Sequence, residues 1–296
     1  MSAVLPGYHS IATVAQLESV NIASLFKPPS DDGSGSPIDT FIIRTNTLNR
    51  FYAAYVVDPT DWIPELGNLI LLGYMSAIES YVRTLITGLV NVDTLSRRQA
   101  GFKLITFAVA TNHPNPRLLP EVLMENMAFS SAGVIEKALK DILGLAKISD
   151  DLKLTLVEFE KLCQVRHCCV HRFGKLGSQN AMELGFERYK GVIEYPFTPS
   201  PGDIDGISDV LQGTVRTLNN FIFREVLDRT WDFEFQAIRP WVWTWHYGRD
   251  RKRFQVYYDL FALTAVKPSS PDIRAVYDSF RNQHRAGVCA RRSRNS

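Results

Sequence analysis

This 296-residue sequence has few cysteines, a small net charge and no long apolar run without charged residues. Only four cysteines are present, and Cys163, Cys168 and Cys169 fall within seven residues, which excludes a disulfide framework. The net charge of +2 excludes a uniformly basic nucleic-acid binder. The most apolar stretch, 63–90, carries three charged residues and has amphipathic helical spacing, so no membrane span is predicted.

What the sequence does contain is typical of a soluble protein. Hydrophobic residues make up 45% and charged residues 22%, enough to build a buried core. The N-terminus has neither the basic start nor the continuous apolar run of a signal peptide. Together with the cysteine pattern, this predicts a cytoplasmic protein.

The charge is unevenly distributed along the chain. Residues 226–296 hold 13 basic and 7 acidic residues, a net of +6, against −4 for residues 1–225. This asymmetry favours a polyanionic partner.

Apolar stripes at spacings of three and four residues predict a helical bundle. A short helix is expected near 102–110, and Ser149 provides an N-cap for a later helix that Gly174 and Gly177 end. The four substantial helical zones lie at 66–90, 120–146, 149–173 and 204–221. Because no strands alternate with these helices, the fold class is predicted as mainly α.

The C-terminal part has a different texture. WDFEF at 231–235 and WVWTWHY at 241–247 alternate strictly, which predicts two strands joined as a hairpin. Residues 254–263 fit a strand or a short helix, and 273–280 fit a helix. The aromatic faces either stack RNA bases or pack on the bundle, and packing is favoured because a large exposed apolar patch is a liability.

These patterns predict three regions. Residues 1–40 form an N-terminal extension, whose breaker-rich segment 27–40 is a linker. Residues 41–227 form the helical bundle, and residues 228–296 form a small aromatic-rich and basic α+β appendage with a flexible tail.

The residues with the clearest chemistry lie at the end of the third helix. Arg166, His167 and His171 fall close to its C-terminus, where the helix dipole favours a protonated imidazole. An imidazole can move a proton, and a guanidinium can grip a phosphate through two hydrogen bonds. This combination suits phosphodiester chemistry. Arg166 and His171 are about 140° apart around an ideal helix, so a long arginine or a symmetric partner would have to complete the site.

The pattern R-H-x-x-x-H from Arg166 to His171 resembles the signature of HEPN domains, which is Arg, a polar residue, three variable residues and His. The segment 77–83 is similar to the first helix of many HEPN domains, and the resemblance covers roughly Leu66–Leu227. It implies a HEPN-like helical bundle and a metal-independent endoribonuclease, of the kind found in prokaryotic toxin–antitoxin and antiviral defence systems. It also implies a homodimer whose two motifs face one cleft, with an antitoxin or other regulatory protein as a further partner.

The resemblance also implies roles for individual residues. Arg166 would bind the scissile phosphate, His171 would act as general acid or base during attack by the ribose 2′-hydroxyl, and His167 would orient the site. The products would be a 2′,3′-cyclic phosphate and a free 5′-hydroxyl. Glu79 is a candidate accessory residue, although its simplest role is an ion pair with Arg83.

The predicted contacts with RNA phosphates come from five basic residues: Arg172, Lys175, Arg251, Lys252 and Arg253. No cofactor is expected. Two alternatives stay open. One is a non-catalytic module that binds protein or RNA. The other is a metal site formed by Cys163, His167 and His171, which recur at i, i+4 and i+8.

Overall fold

The structure is a computed structural model that describes residues 19–27, 35–55, 58, 62–231, 238 and 241–292, with side chains described through residue 284. The chain divides into two units, Met1–Ser34 and Gly35–Ser296. In the first unit the described residues include a 3-10 turn at Ile22–Leu25. Residues 28–34, half of the predicted linker 27–40, lie outside the described residues, and its last part already belongs to the first helix.

The second unit confirms the predicted mainly α fold. Its described residues form eleven α-helices and no strand. The helices are α1 Pro37–Tyr55, α2 Pro64–Val92, α3 Thr94–Ala100, α4 Phe107–Asn112, α5 Leu119–Val122, α6 Ala132–Asp141, α7 Asp150–Arg172, α8 Ser178–Tyr189, α9 Pro201–Arg229, α10 Tyr247–Phe261 and α11 Ile273–Arg292.

The centre of the bundle is α2, which contacts α1, α3, α7, α9 and α10. Its buried side chains include Tyr74 and Tyr81, which are almost completely removed from solvent. By length and composition alone α2 could cross a membrane, but 56% of its apolar window is buried by the rest of the structure. The core helix of a soluble bundle has the same properties.

The second predicted helical zone is not continuous, because residues 123–131 separate α5 from α6. Arg83 of α2 donates hydrogen bonds to the backbone carbonyls of Met124 and Met127, both at 2.6 Å. Its guanidinium also lies over the ring of the buried Phe129, 5.2 Å from the ring centroid. These contacts use carbonyls that a continuous helix would need for its own hydrogen bonds.

The ends of α7 follow the prediction closely. At its start, the Ser149 hydroxyl accepts a hydrogen bond from the Leu152 N–H at 3.3 Å. At its end, Phe173 and Gly174 both adopt positive φ angles, 52° and 90°. The stop therefore comes one residue before the predicted glycine, because Phe173 takes the left-handed position itself.

The strand predicted at 241–247 is wrong. Residues 241–246 form no strand with any of the described residues, and α10 begins at Tyr247. The partner strand at 231–235 lies outside the described residues except for Trp231. Trp243 is buried edge-on against Trp241, Phe254 and Phe280, at centroid distances of 5.0, 6.2 and 5.5 Å.

These aromatic contacts explain the alternating pattern. The described rings are packed rather than free to stack bases, but their ring contacts are with α10 and α11 and not with the 41–227 bundle that the prediction named. The 254–263 segment is mostly the helical end of α10. The indole N–H of Trp243 donates to the Thr230 hydroxyl at 2.8 Å, which fixes the segment to the end of α9.

The C-terminal helices also contact the bundle. The Ser36 hydroxyl donates to the Ala262 carbonyl at 2.6 Å, and the Asp39 carboxylate accepts from the N–H groups of Thr264 and Ala265 at 2.7 and 2.8 Å. Burial alone would raise the pKa of Asp39, but hydrogen bonds led by the Thr264 side chain lower it below its ordinary value. Residues 41–227 and 228–292 thus share one spatial unit, while the predicted boundaries at 40 and 227 stay predictions about folding units.

Candidate functional site

The three motif residues lie in the last two turns of α7, where the sequence placed them. His167 and His171 are exposed, and His171 and Arg172 form the basic last turn. The two imidazole rings contact each other, with centroids 4.5 Å apart and planes inclined by 50°.

Arg166 does not join the two histidines. It is half-buried and makes no hydrogen bond or ion pair with the described residues. Its charge acts instead on the buried thiol of Cys163, one turn earlier. The angle of about 140° between Arg166 and His171 holds in the regular helix, so one copy of the chain presents the guanidinium and the imidazoles on different faces of α7.

Arg172 and Lys175 lie next to the motif, as the sequence requires. Arg172 forms an ion pair with Glu194 at 2.6 Å, so its guanidinium is already partly engaged. Lys175 is exposed, and its residue pairs with Pro196 in an isolated antiparallel bridge. Of the two predicted RNA contacts at this end, Lys175 is the one without an ion pair among the described residues.

Glu79 is not brought to the motif. Its carboxylate accepts from Arg83 at 2.9 Å, which confirms the simple ion pair. The motif end of α7 meets α2 at Asn68, whose side chain accepts from the Cys169 thiol at 3.7 Å. Eleven residues separate Asn68 from Glu79, which is about 16 Å along the helix.

The basic residues of α10 are further away still. The Leu260 side chain of α10 lies directly over Gly88, which is 20 residues and about 30 Å along α2 from Asn68. Arg251 and Lys252 are exposed there. Arg253 instead stacks on Trp241, with its guanidinium carbon 4.2 Å from the ring centroid, and donates to the Val242 carbonyl at 3.3 Å. Within one copy, this cluster and the motif occupy opposite ends of the bundle.

The cysteines beside the motif are poorly suited to nucleophilic or ligand chemistry. Burial, assisted by the charge of Glu160, raises the pKa of the Cys163 thiol far above its ordinary value. Burial also raises the pKa of Cys169 to about 11. Thiolates are the form that attacks or binds metals, so these side chains behave as small core residues. The described residues contain no cluster of three or more His, Cys, Asp or Glu able to hold a metal ion, which leaves the Cys163, His167 and His171 alternative without a donor set.

Sequence reasoning missed the polar side chains behind His167. Asn180 of α8 is 5% exposed, and its Nδ2 lies 3.2 Å from His167 Nδ1 and 2.9 Å from Gln164 Oε1. Gln164 in turn donates to Glu160 at 2.9 Å. The i, i+4 spacing of Glu160 and Gln164 was visible in the sequence, but no local pattern indicates that α8 brings Asn180 beside them.

A small apolar pocket also adjoins the motif helix. It has a volume of about 190 Å³, and its lining includes Val165, Cys168, Leu184, Tyr189 and Phe197. Cys168 therefore faces this pocket, about 100° around α7 from His167 and about 60° from His171.

Comparison of the chain with protein-family models, with curated proteins and with solved structures found no match.

Proposed function

We propose that this protein is a metal-independent endoribonuclease that cleaves RNA by attack of the ribose 2′-hydroxyl on the adjacent phosphate. The observation that carries the proposal is the exposed His167–His171 pair in the last turns of α7, with centroids 4.5 Å apart. His171 is the proposed general acid or base, and positioned proton transfer of this kind contributes about 10²–10⁴-fold to a rate. The resemblance to HEPN domains supports the same roles and a setting in defence or toxin–antitoxin systems.

We further propose that the working enzyme is a homodimer with composite sites. Arg166 lies about 140° around α7 from His171 and has no hydrogen-bond or ion-pair partner in the part of the chain that the structure describes, which leaves its guanidinium available to a phosphate held against another copy. Exposed apolar side chains stand beside the motif, with Phe173 76% and Tyr195 62% exposed, and a dimer contact would cover them. In a symmetric dimer, each site would take Arg166 from one copy and His171 from the other.

Cleavage of a mixed RNA pool in EDTA tests the activity. We expect the wild type to leave 2′,3′-cyclic phosphate ends and His171→Ala to lose about 10²–10⁴-fold in rate. His246→Ala and Arg224→Ala, which remove an exposed histidine and an exposed arginine elsewhere, should cleave like the wild type. A folded wild type that leaves the RNA intact would contradict the proposal, as would equal cleavage by His171→Ala.

Mixing two inactive variants tests the composite site. In a heterodimer of Arg166→Ala and His171→Ala, one site would hold both intact residues and the other neither. Random pairing should then restore roughly a quarter of the wild-type sites. If each copy used its own Arg166 and His171, the mixture would stay as inactive as its components.

The second candidate function is a module that binds RNA or protein without cleaving. The ion pair of Arg172 with Glu194 and the separation of Arg166 from the histidines favour it. RNA binding by a wild type that cannot cleave, weakened by Lys175→Ala, would support this alternative.

A further inference from the structure

A chain of hydrogen bonds leads from a carboxylate in the interior of α7 to the ring of His167. It begins at Glu160, whose Oε2 accepts from the backbone N–H of Ala132 at 2.7 Å. Ala132 is the first residue of α6, and the positive end of a helix dipole favours a negative charge at this position. A carboxylate can only accept hydrogen bonds, so every group that faces Glu160 must donate.

This constraint fixes the orientation of the two amides that follow. Gln164 lies 2.9 Å from Glu160 Oε1 and must present its Nε2 group there. Its Oε1 then faces Asn180, which must present its own Nδ2 at 2.9 Å. An amide nitrogen carries two protons, and the second is directed at His167 Nδ1, 3.2 Å away.

We propose that Glu160, Gln164 and Asn180 act as positioning residues that hold His167 in the tautomer with its proton on Nε2. Nδ1 accepts the hydrogen bond from Asn180, so it carries no proton in the neutral ring. Nε2–H is left as an outward donor beside the ring of His171. The relay joins α6, α7 and α8, and its Asn180 link is almost fully buried.

The tautomer distinguishes the two histidines chemically. The only lone pair of neutral His167 is engaged by Asn180, so this ring donates a hydrogen bond and is unsuited to accept a proton from RNA. His171 makes no hydrogen bond with the described residues and stays free to exchange protons. This division of roles rests on the proposed ribonuclease function, whereas the tautomer itself rests on the geometry of the relay.

Nuclear magnetic resonance of the full chain labelled with ¹⁵N-histidine tests the tautomer directly. The spectra are recorded at about pH 8.5, above the ordinary imidazole pKa of about 6.5, and the His167 signals are assigned with His167→Gln. The couplings of the ring protons to the two nitrogens should place the proton of wild-type His167 on Nε2. A proton on Nδ1 in the wild type would overturn the proposal.

Glu160→Gln tests the relay more directly than the wild-type spectrum does. The Ala132 N–H still requires an acceptor, so it should receive the amide oxygen of the new glutamine. The new amide must then turn its nitrogen toward Gln164, which reverses both following amides and moves the His167 proton to Nδ1. Glu158→Gln is the matched control, since Glu158 is exposed and pairs only with Lys161 in the described residues, and it should leave the tautomer unchanged. An unchanged tautomer in Glu160→Gln would refute the relay.

Asn180→Asp is a second variant in case Glu160→Gln does not fold. Its carboxylate accepts from His167 and should also move the proton to Nδ1, and an Nε2 proton in a folded Asn180→Asp would count against the relay.

The functional consequence is measured separately, by RNA cleavage. Because the glutamine amide nitrogen can replace an Nε2–H donor, His167→Gln should lose less activity than His171→Gln, for which a loss of about 10²–10⁴-fold is expected. Equal losses would refute the division of roles, and absent cleavage in the wild type would leave the tautomer result standing while refuting the proposed function.

Discussion

Arg229 forms a buried ion pair with Asp93 that links the end of α9 to the junction of α2 and α3. Asp93 is 2% exposed, and its carboxylate also accepts from the Ser96 N–H at 2.8 Å and the Tyr257 hydroxyl at 3.1 Å. Arg229→Ala would leave this carboxylate buried without a cation. Removing one partner of a buried pair lowers the free energy of unfolding by about 3–5 kcal/mol. The whole free energy of unfolding of a typical domain is about 5–15 kcal/mol, so this loss is a large share of it.

Urea unfolding followed by far-ultraviolet circular dichroism measures this loss. Arg224→Ala is the matched control on the same helix, because Arg224 pairs with Glu225 on the surface at 3.3 Å and its removal should cost at most about 1 kcal/mol. Asp93→Ala combined with Arg229→Ala should cost less than the two single losses added together. The reasoning is refuted if Arg229→Ala unfolds within about 1 kcal/mol of the wild type at an unchanged urea dependence.

Three further predictions concern the pH, the thiols and the end of α7. Asp39→Asn should destabilise the fold by about 1–3 kcal/mol at neutral pH. Because the folded pKa of Asp39 is lowered, its contribution is present above the unfolded value of about 3.9 and is lost as the pH falls through the folded value, so unfolding titrations of the two proteins should converge below about pH 4. In a Cys289→Ser background, Cys169 should react with iodoacetamide at about pH 8 roughly a hundredfold more slowly than free cysteine, since its pKa is raised to about 11; rapid labelling of the folded protein would contradict this. Phe173→Gly should raise the free energy of unfolding by about 1 kcal/mol, because glycine adopts the φ of 52° without strain and Phe173 is 76% exposed; a measured loss of stability would show that the ring contributes more than its exposure indicates.

Local patterns predicted the helices well where a single stretch of chain determines them. The apolar stripe of α2 and the Ser149 cap of α7 both correspond to helices in the structure. The alternation in 241–247 predicted a strand that the structure does not contain. The packing of Trp243 against α10 and α11 produces the same alternating pattern as a strand with one buried face. The break between α5 and α6 depends on Arg83, which is about forty residues earlier in the chain.

In the candidate site too, the features set by one stretch of chain were predictable and those set by contacts between distant segments were not. The position of the motif at the end of α7 follows from the helix stop, and the 140° between Arg166 and His171 follows from helix geometry. The link from Asn180 to His167 needs the loop after α7 to return α8 to the same surface, which spacing alone does not reveal. Glu79 was placed with the motif on resemblance, whereas its distance depends on how α2 runs past α7.

The contacts of Ser36 and Asp39 with residues 262–265 have a consequence for synthesis of the protein. They join positions more than 220 residues apart, so α1 emerges from the ribosome long before the segment that fastens it exists. A nascent chain that stalls before α10 is complete leaves the Asp39 carboxylate in water and the start of α1 unattached. Proteolytic removal of the last two helices has the same effect, because it removes the residues to which the start of α1 is hydrogen-bonded.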